Sequence, residues 1–239
     1  MPDISIINDQ SIPARIARAG LYPRQRKRGY LGMSEIGDPC ERRLWLSYHV
    51  EKQPGKISNR LLRVFDMGDI IEDRLILHLQ KSLYHVKNFQ EEYSDFDGQF
   101  QGHCDGHIRG MHEAPDKWHI LEIKSANQSS FNGFVKHGIQ QNRMFGEKYY
   151  AQVQIYMHYS GLDRAVILVE NKNDSRLYQE RFRYCRKDAL NLYEKAWWII
   201  NADYPPNGIS KKETFWICRM CRYNNPDYCR KKWEGEELF

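Results

Sequence analysis

The sequence predicts an α/β chain in which strands form the core and helices flank it. Three observations predict this. The chain has 239 residues with 41% hydrophobic content, enough to bury one substantial core. Its apolar period changes several times between helix and strand spacing. No internal repeat or low-complexity tract offers another architecture.

Taken in order, residues 1–30 carry Arg15, Arg18, Arg24, Arg26, Lys27 and Arg28 with little apolar periodicity, and read as a basic arm. Residues 57–80 repeat apolar side chains at helical spacing. Residues 89–110 and 117–125 alternate as strands do, joined by turn-forming Gly, Pro and Asp. A helix is expected over 149–159, then strands over 165–170 and 177–184. A last helix starts at Asp188 as its N-cap and reaches Ala202, where Pro205 and Pro206 stop it. The expected organisation is an arm (1–30), a core (31–205) and a cysteine-bearing segment (206–239).

A formal net charge of +5 and a pI near 8.8 fit a polyanionic partner, though mildly. No stretch approaches the roughly 20 apolar residues of a membrane span, and no signal peptide is evident. The expectation is a cytoplasmic protein of a bacterium, or of a phage in its host, with no membrane partner. In that reducing compartment the six cysteines read as metal ligands or thiols rather than disulfides.

The chemistry concentrates in two acids and a lysine. In the run from Trp118 to Ser125, alternation puts Leu121 and Ile123 on one face and Ile120, Glu122 and Lys124 on the other. Upstream, Asp105 lies in Gly102-His103-Cys104-Asp105-Gly106, whose strand can return beside Glu122. Two carboxylates can hold Mg²⁺ or Mn²⁺, while the lysine orients a metal-activated water or neutralises charge on a phosphate. An exposed Glu122–Lys124 ion pair is the plainer alternative.

Two neighbours alter that balance. Glu72 falls in the helical stripe of Leu61, Phe65, Gly68, Leu75, Ile76 and Leu79, so it needs a cation, a metal or a polar cavity, a structural salt bridge being the alternative. Tyr149, Gln152, Val153 and Tyr156 share a helical face, with Gln154 pointing elsewhere. Gln152 there suits a water or phosphate, and Tyr156 suits buttressing it or stacking on nucleic acid.

Together, Gly68-x-x-x-Glu72, Gly102-His103-Cys104-Asp105-Gly106, Leu121-Glu122-Ile123-Lys124-Ser125 and Gln152-x-x-x-Tyr156 resemble RecB-like and lambda-exonuclease-like nucleases of the PD-(D/E)XK superfamily. The resemblance spans about residues 33–205. It implies a restriction-endonuclease-like core with a central mixed sheet, Asp105 and Glu122 as metal ligands with Ile123 at the same metal, and Lys124 as the catalytic lysine. Glu72 assists the metal or its water, and Gln152 and Tyr156 complete the site. Cys104 stands where the superfamily has its proline, and Glu72 where many RecB-like members have histidine.

The last segment carries Cys218, Cys221 and Cys229, one ligand short of a four-thiolate site. Cys40 is the best fourth. It lies in a motif from Met33 to Trp45 that resembles the N-terminal motif of iron-sulfur nucleases such as AddB and the nuclease that processes new CRISPR spacers. That resemblance implies a 4Fe-4S clasp joining the two ends of the chain. Zinc satisfies four thiolates equally. Cys104 and Cys185 read as buried small residues, with Cys104 beside the metal site.

Around these cysteines Lys211, Lys212, Arg219, Arg222, Arg230, Lys231 and Lys232 alternate with Trp216, Tyr223, Tyr228 and Trp233, a mixture suited to single-stranded or frayed DNA. Arg42, Arg43 and the N-terminal arm are expected to extend that surface. The function expected is a metal-dependent DNA exonuclease in recombination, repair or phage DNA processing, leaving the 5′-phosphate the family implies, with a helicase or recombinase as partner. The alternatives are an inactive nuclease-fold DNA-binding or assembly subunit, and an endonuclease.

Overall fold

In the computed structural model, which describes residues 12, 15–16, 28–50, 58–142, 145–231 and 233, the strands fall into two sheets. The smaller contains β1 (Leu31–Gly32), β3 (Glu91–Asp95) and β4 (Phe100–Cys104) in the order β1–β4–β3. The larger contains β2 (His85–Lys87), β5 (Gly106–Arg109), β6 (His119–Ala126), β7 (Arg164–Asn171) and β8 (Leu177–Arg183), and runs β2–β5–β6–β7–β8. In it β6 and β7 are parallel and the other neighbours antiparallel, so the sheet is mixed. The expected arm lies almost wholly outside the described residues, as does Lys232.

Helices flank both faces: α1 (Glu41–His49), α2 (Asn59–Lys81), α3 (Gln128–His137), α4 (Gly146–Ser160), α5 (Arg186–Asn201) and the short α6 (Trp216–Arg219). The parallel β6–β7 pair requires a crossover, which α3 and α4 supply. Asn127 opens α3 by accepting from Ser130 N at 2.9 Å, and Gly161, in the left-handed region at φ 72°, closes α4.

The alternation read in β6 is the alternation observed. Leu121 and Ile123, with Ile108, Val166 and Leu168, pack against Ile71 and Leu75 of α2. Ile120 and Ala126 turn to the larger core with Ile167, Val169 and the α4 residues Val153 and Tyr156. Between the sheets the chain crosses over one residue, Asp105, since β4 ends at Cys104 and β5 begins at Gly106. Gly102 is needed for this packing. A Cβ there would stand 2.7 Å from Met33 Cβ and 3.0 Å from the ring and hydroxyl of Tyr156.

Several expectations need correction. The extended reading of 89–110 resolves into three strands, broken at a left-handed turn, Phe96-Asp97-Gly98. The last helix starts at Arg186 with Cys185 as N-cap. Asp188 sits within its first turn, accepting from Tyr150 Oη at 2.6 Å. The apolar stripe of α2 buries only toward its C-terminal half: Leu61 and Phe65 remain 39% and 47% exposed, because the sheet meets the helix from Gly68 onward. Helices α1 and α3 and strands β1 and β2 were not foreseen. In α3, Ser, Asn and Gly depress helix propensity, and β1 and β2 are only 2 and 3 residues long.

Candidate active site

Asp105 and Glu122 are brought together by the one-residue crossing. Asp105 Oδ2 accepts from the backbone N–H of Ile123 at 2.6 Å, which fixes this carboxylate against the middle of β6. Glu122 is buried on the neighbouring position. Its Oε1 accepts from Gln152 Nε2 at 2.7 Å and from Lys124 Nζ, whereas its buried Oε2 has no hydrogen-bond partner among the described residues. An orphaned carboxylate oxygen in a low-dielectric setting costs free energy unless a cation meets it.

Lys124 is two residues along the same strand face, as alternation requires, and its ammonium lies 5.4 Å from the ring centre of Tyr149. Glu72 reaches the cluster from α2. It is half-buried, and Gln90 Nε2 donates to its Oε1 at 2.6 Å. Arg74, half a turn later, ion-pairs with buried Glu170 of β7 and pins α2 to the sheet. Among the described residues Glu72 makes no salt bridge; it is met by the Gln90 amide at the edge of the stripe whose Leu75, Ile76 and Leu79 pack on the sheet.

The charges do not balance. Burial, then the Asp105 charge, push Glu122 up to about 8, against the opposing pull of Lys124. Burial and Asp105 likewise raise Glu72 to about 7, although Gln90 and Lys124 hold it back. Burial raises Asp105 too, with Lys124 and the Ile123 N–H opposing. Lys124 is raised, since Glu122 and Asp105 outweigh its own desolvation. Three carboxylates thus face one ammonium, and a divalent cation fits the deficit. Asp69, one turn before Glu72, raises both Glu72 and Asp105 and was missed by sequence reasoning. Its i−3 spacing from Glu72 was the available signal.

Gln152 and Tyr156 meet each other inside the core. Gln152 spends its amide N–H groups on Glu122 and, at 3.2 Å, on Tyr156 Oη, so it orients the carboxylate from within the core. Tyr156 is 1% exposed and cannot stack on nucleic acid; it buttresses Gln152. Gln154 points away, donating to Arg183 O at 2.8 Å. Cys104 is buried as expected but faces Tyr93 Oη at 3.6 Å. Among the described residues, the metal-type group whose ligand atoms all lie within 4.8 Å of one another is Glu91, Cys104 and His107.

Cys40, Cys218, Cys221 and Cys229 line one cavity, together with Arg43 and Gly208. Cys40 is the N-cap of α1. Its N–H donates to Asp38 Oδ1 at 2.9 Å, and Asp38 is ion-paired with Arg43 and with Lys148 at 3.3 Å. Helix α1 is tied to the end of α5 and to the last segment: Trp45 Nε1 donates to Ala202 O at 2.8 Å and Arg42 to Pro206 O at 3.0 Å. Burial raises the Cys218, Cys221 and Cys229 thiols and Cys40 adds to this, while Arg42 or Arg43 opposes it.

The basic surface differs from the expectation in three residues. Arg42 is buried and Arg43 is held by Asp38, so neither extends it, and Tyr223 is 1% exposed and unavailable for stacking. Lys211, Lys212, Arg219, Arg222, Arg230 and Lys231 are exposed.

A family model, the YqaJ-like viral recombinase domain, matches residues 77–163, a stretch that contains Asp105, Glu122, Lys124, Gln152 and Tyr156 but neither Glu72 nor the four clasp cysteines. No curated protein matches the chain in sequence. Among solved structures, the fold is similar to that of an alkaline exonuclease, LHK-Exo, from Laribacter hongkongensis, at a TM-score of 0.52 and 14% identity over 73% of this chain and 87% of that one. The same exonuclease in complex with dAMP gives a TM-score of 0.52 at 14% identity, over 72% of this chain and 86% of that one. A phage-related exonuclease from Haemophilus somnus 129PT aligns at 0.41 and 16% identity, over 55% and 66%. No described helix is long and apolar enough to cross a membrane. The likeness is one of fold, mixed α/β with flanking helices.

Proposed function

We propose that the chain is a divalent-metal-dependent DNA exonuclease of the PD-(D/E)XK type, with a restriction-endonuclease-like core, acting in recombination, repair or phage DNA processing. The observation that carries this is the buried, partnerless Oε2 of Glu122 beside Asp105 and Lys124. The match of residues 77–163 to a viral recombinase domain and the alkaline-exonuclease fold support the same reading.

Asp105 and Glu122 would hold Mg²⁺ or Mn²⁺ with Ile123 alongside, and Glu72 would supply a third carboxylate. When bound, the cation supplies Lewis-acid charge and a nucleophilic water at neutral pH. Gln152 holds Glu122 Oε1 and leaves Oε2 for the cation. Lys124 offsets negative charge gathering on the phosphate. The exposed basic side chains of the last segment would neutralise the DNA backbone.

Cys40, Cys218, Cys221 and Cys229 are proposed to hold a 4Fe-4S cluster. The four cysteines line one cavity, as a shared four-thiolate centre needs; the likeness of the Met33–Trp45 motif to that of iron-sulfur nucleases favours the cluster over zinc.

With Mg²⁺ or Mn²⁺, end-labelled linear duplex DNA should be degraded and closed circles left intact, and Lys124→Ala should slow cleavage by roughly 10²–10³-fold. Metal-dependent cleavage unchanged in that variant would contradict the role of Lys124; cut circles would mark an endonuclease instead. Anaerobically purified protein should contain about four irons per chain with acid-labile sulfide, lost in Cys218→Ser. Zinc lost in that variant, with no iron, would overturn the iron-sulfur assignment.

A pH test follows from Glu122, whose carboxyl rises from an ordinary 4.5 to about 8 in the fold. Its contribution to stability is whole below the unfolded value and is lost as pH climbs through about 8. Metal-free protein should therefore lose stability between pH 5 and 8, Glu122→Gln should flatten that slope, and Mg²⁺ should raise Tm more at pH 8 than at pH 5. A slope identical in Glu122→Gln would refute the buried charge.

A further inference from the structure

We propose that Glu91, Tyr93, Cys104 and His107 form a structural zinc site that staples the two sheets together at the Asp105 crossing, independently of the nuclease reading. The four side chains come from three strands. Glu91 and Tyr93 lie two apart on β3, so they share a face. Cys104, the last residue of β4, is the direct cross-strand partner of Glu91. His107 is on β5, in the other sheet. No other described position brings a carboxylate, a thiol and an imidazole this close together.

The spacing is that of a coordination shell. Zinc bound by oxygen and nitrogen at 2.0–2.2 Å and by sulfur at 2.3 Å puts its ligand atoms roughly 3.3–3.8 Å from one another. Here Glu91 Oε2 is 2.8 Å from His107 Nε2, and Tyr93 Oη is 3.0 Å from His107 Nε2, 3.4 Å from Glu91 Oε2 and 3.6 Å from Cys104 Sγ. The remaining separations among Glu91, Cys104 and His107 are within 4.8 Å. Adjustments of a few tenths of an ångström to about one ångström would close these four donors into a tetrahedron.

The donor set and its setting suit zinc over the active-site cations. One sulfur and one imidazole nitrogen favour a borderline transition metal, whereas Mg²⁺ takes oxygen. Cys104, His107 and Tyr93 are buried, closing the site on three sides, and half-exposed Glu91 leaves the route of entry. Asn88 Nδ2 donates to Glu91 Oε2 at 3.1 Å, an outer amide that orients this ligand. Because Cys104 and His107 bracket Asp105, such a site would hold that carboxylate's backbone in place.

The test is equilibrium dialysis of the anaerobically purified full chain against Zn²⁺, with bound zinc counted per chain. One zinc should be retained by wild type, by Glu122→Gln and by Cys218→Ser. Cys104→Ser should lose it, and Glu91→Gln, whose site is half-exposed and whose folding is checked by circular dichroism, should bind it at least about tenfold more weakly. Equal zinc content and affinity in wild type, Cys104→Ser and Glu91→Gln would overturn the proposal, as would wild type that retains none. Those results would leave the four side chains a hydrogen-bonded network centred on Tyr93.

Discussion

Burying Asp105 and Glu122 against a single ammonium creates an electrostatic deficit on which the rest of the structure depends. Every element near the site either tightens that deficit or prepares it for a cation. The Ile123 N–H and the Gln152 amide each satisfy one carboxylate oxygen, and Lys124 compensates one charge. What they leave is directional: an acceptor with no donor, and carboxyls raised by burial and by each other. Hydrogen bonds alone could not complete such a site without further donors, so its natural complement is a cation.

The fold holds this arrangement with short, local devices. A crossing of one residue gives Asp105 no slack, and the β5–β6 register, with Gly106 opposite Leu121, sets it beside Ile123. Gly102 lets the Tyr156 ring lie against the β4 backbone, and Tyr156 in turn supports Gln152. On the other face of the sheet, Ile71 and Leu75 seat α2, and Arg74–Glu170 fixes its rotation so that Glu72 is turned toward Asp105. The proposed zinc site would reinforce the crossing itself.

Much of this was legible in the sequence, and for identifiable reasons. Period-two alternation in β6 separated Leu121 and Ile123 from Glu122 and Lys124, and the two cores respect that division. Helical spacing set Gln152 and Tyr156 on one face, and their hydrogen bond follows. What alternation cannot encode is which partner an amide or hydroxyl finds across the fold. Gln152 therefore read as a ligand for water or phosphate although it donates to Glu122 inside the core, while of the two roles read for Tyr156, buttressing and stacking, its burial leaves the first. The Glu91–Cys104–His107 grouping depends on strand register and on two sheets meeting, neither of which a single strand's pattern contains. Arg42 looked like surface charge because its partner, Pro206, lies 164 residues away, and Arg43 because its pairing with Asp38 depends on the turn before α1.

The most direct test of the central deficit is to locate the cation itself. Crystals soaked in Mn²⁺ and measured at the manganese absorption edge should show an anomalous peak between Asp105 and Glu122, within bonding distance of Glu122 Oε2. A crystal of the active protein with no peak there at a Mn²⁺ concentration that supports DNA cleavage, or with manganese only elsewhere, would contradict the account.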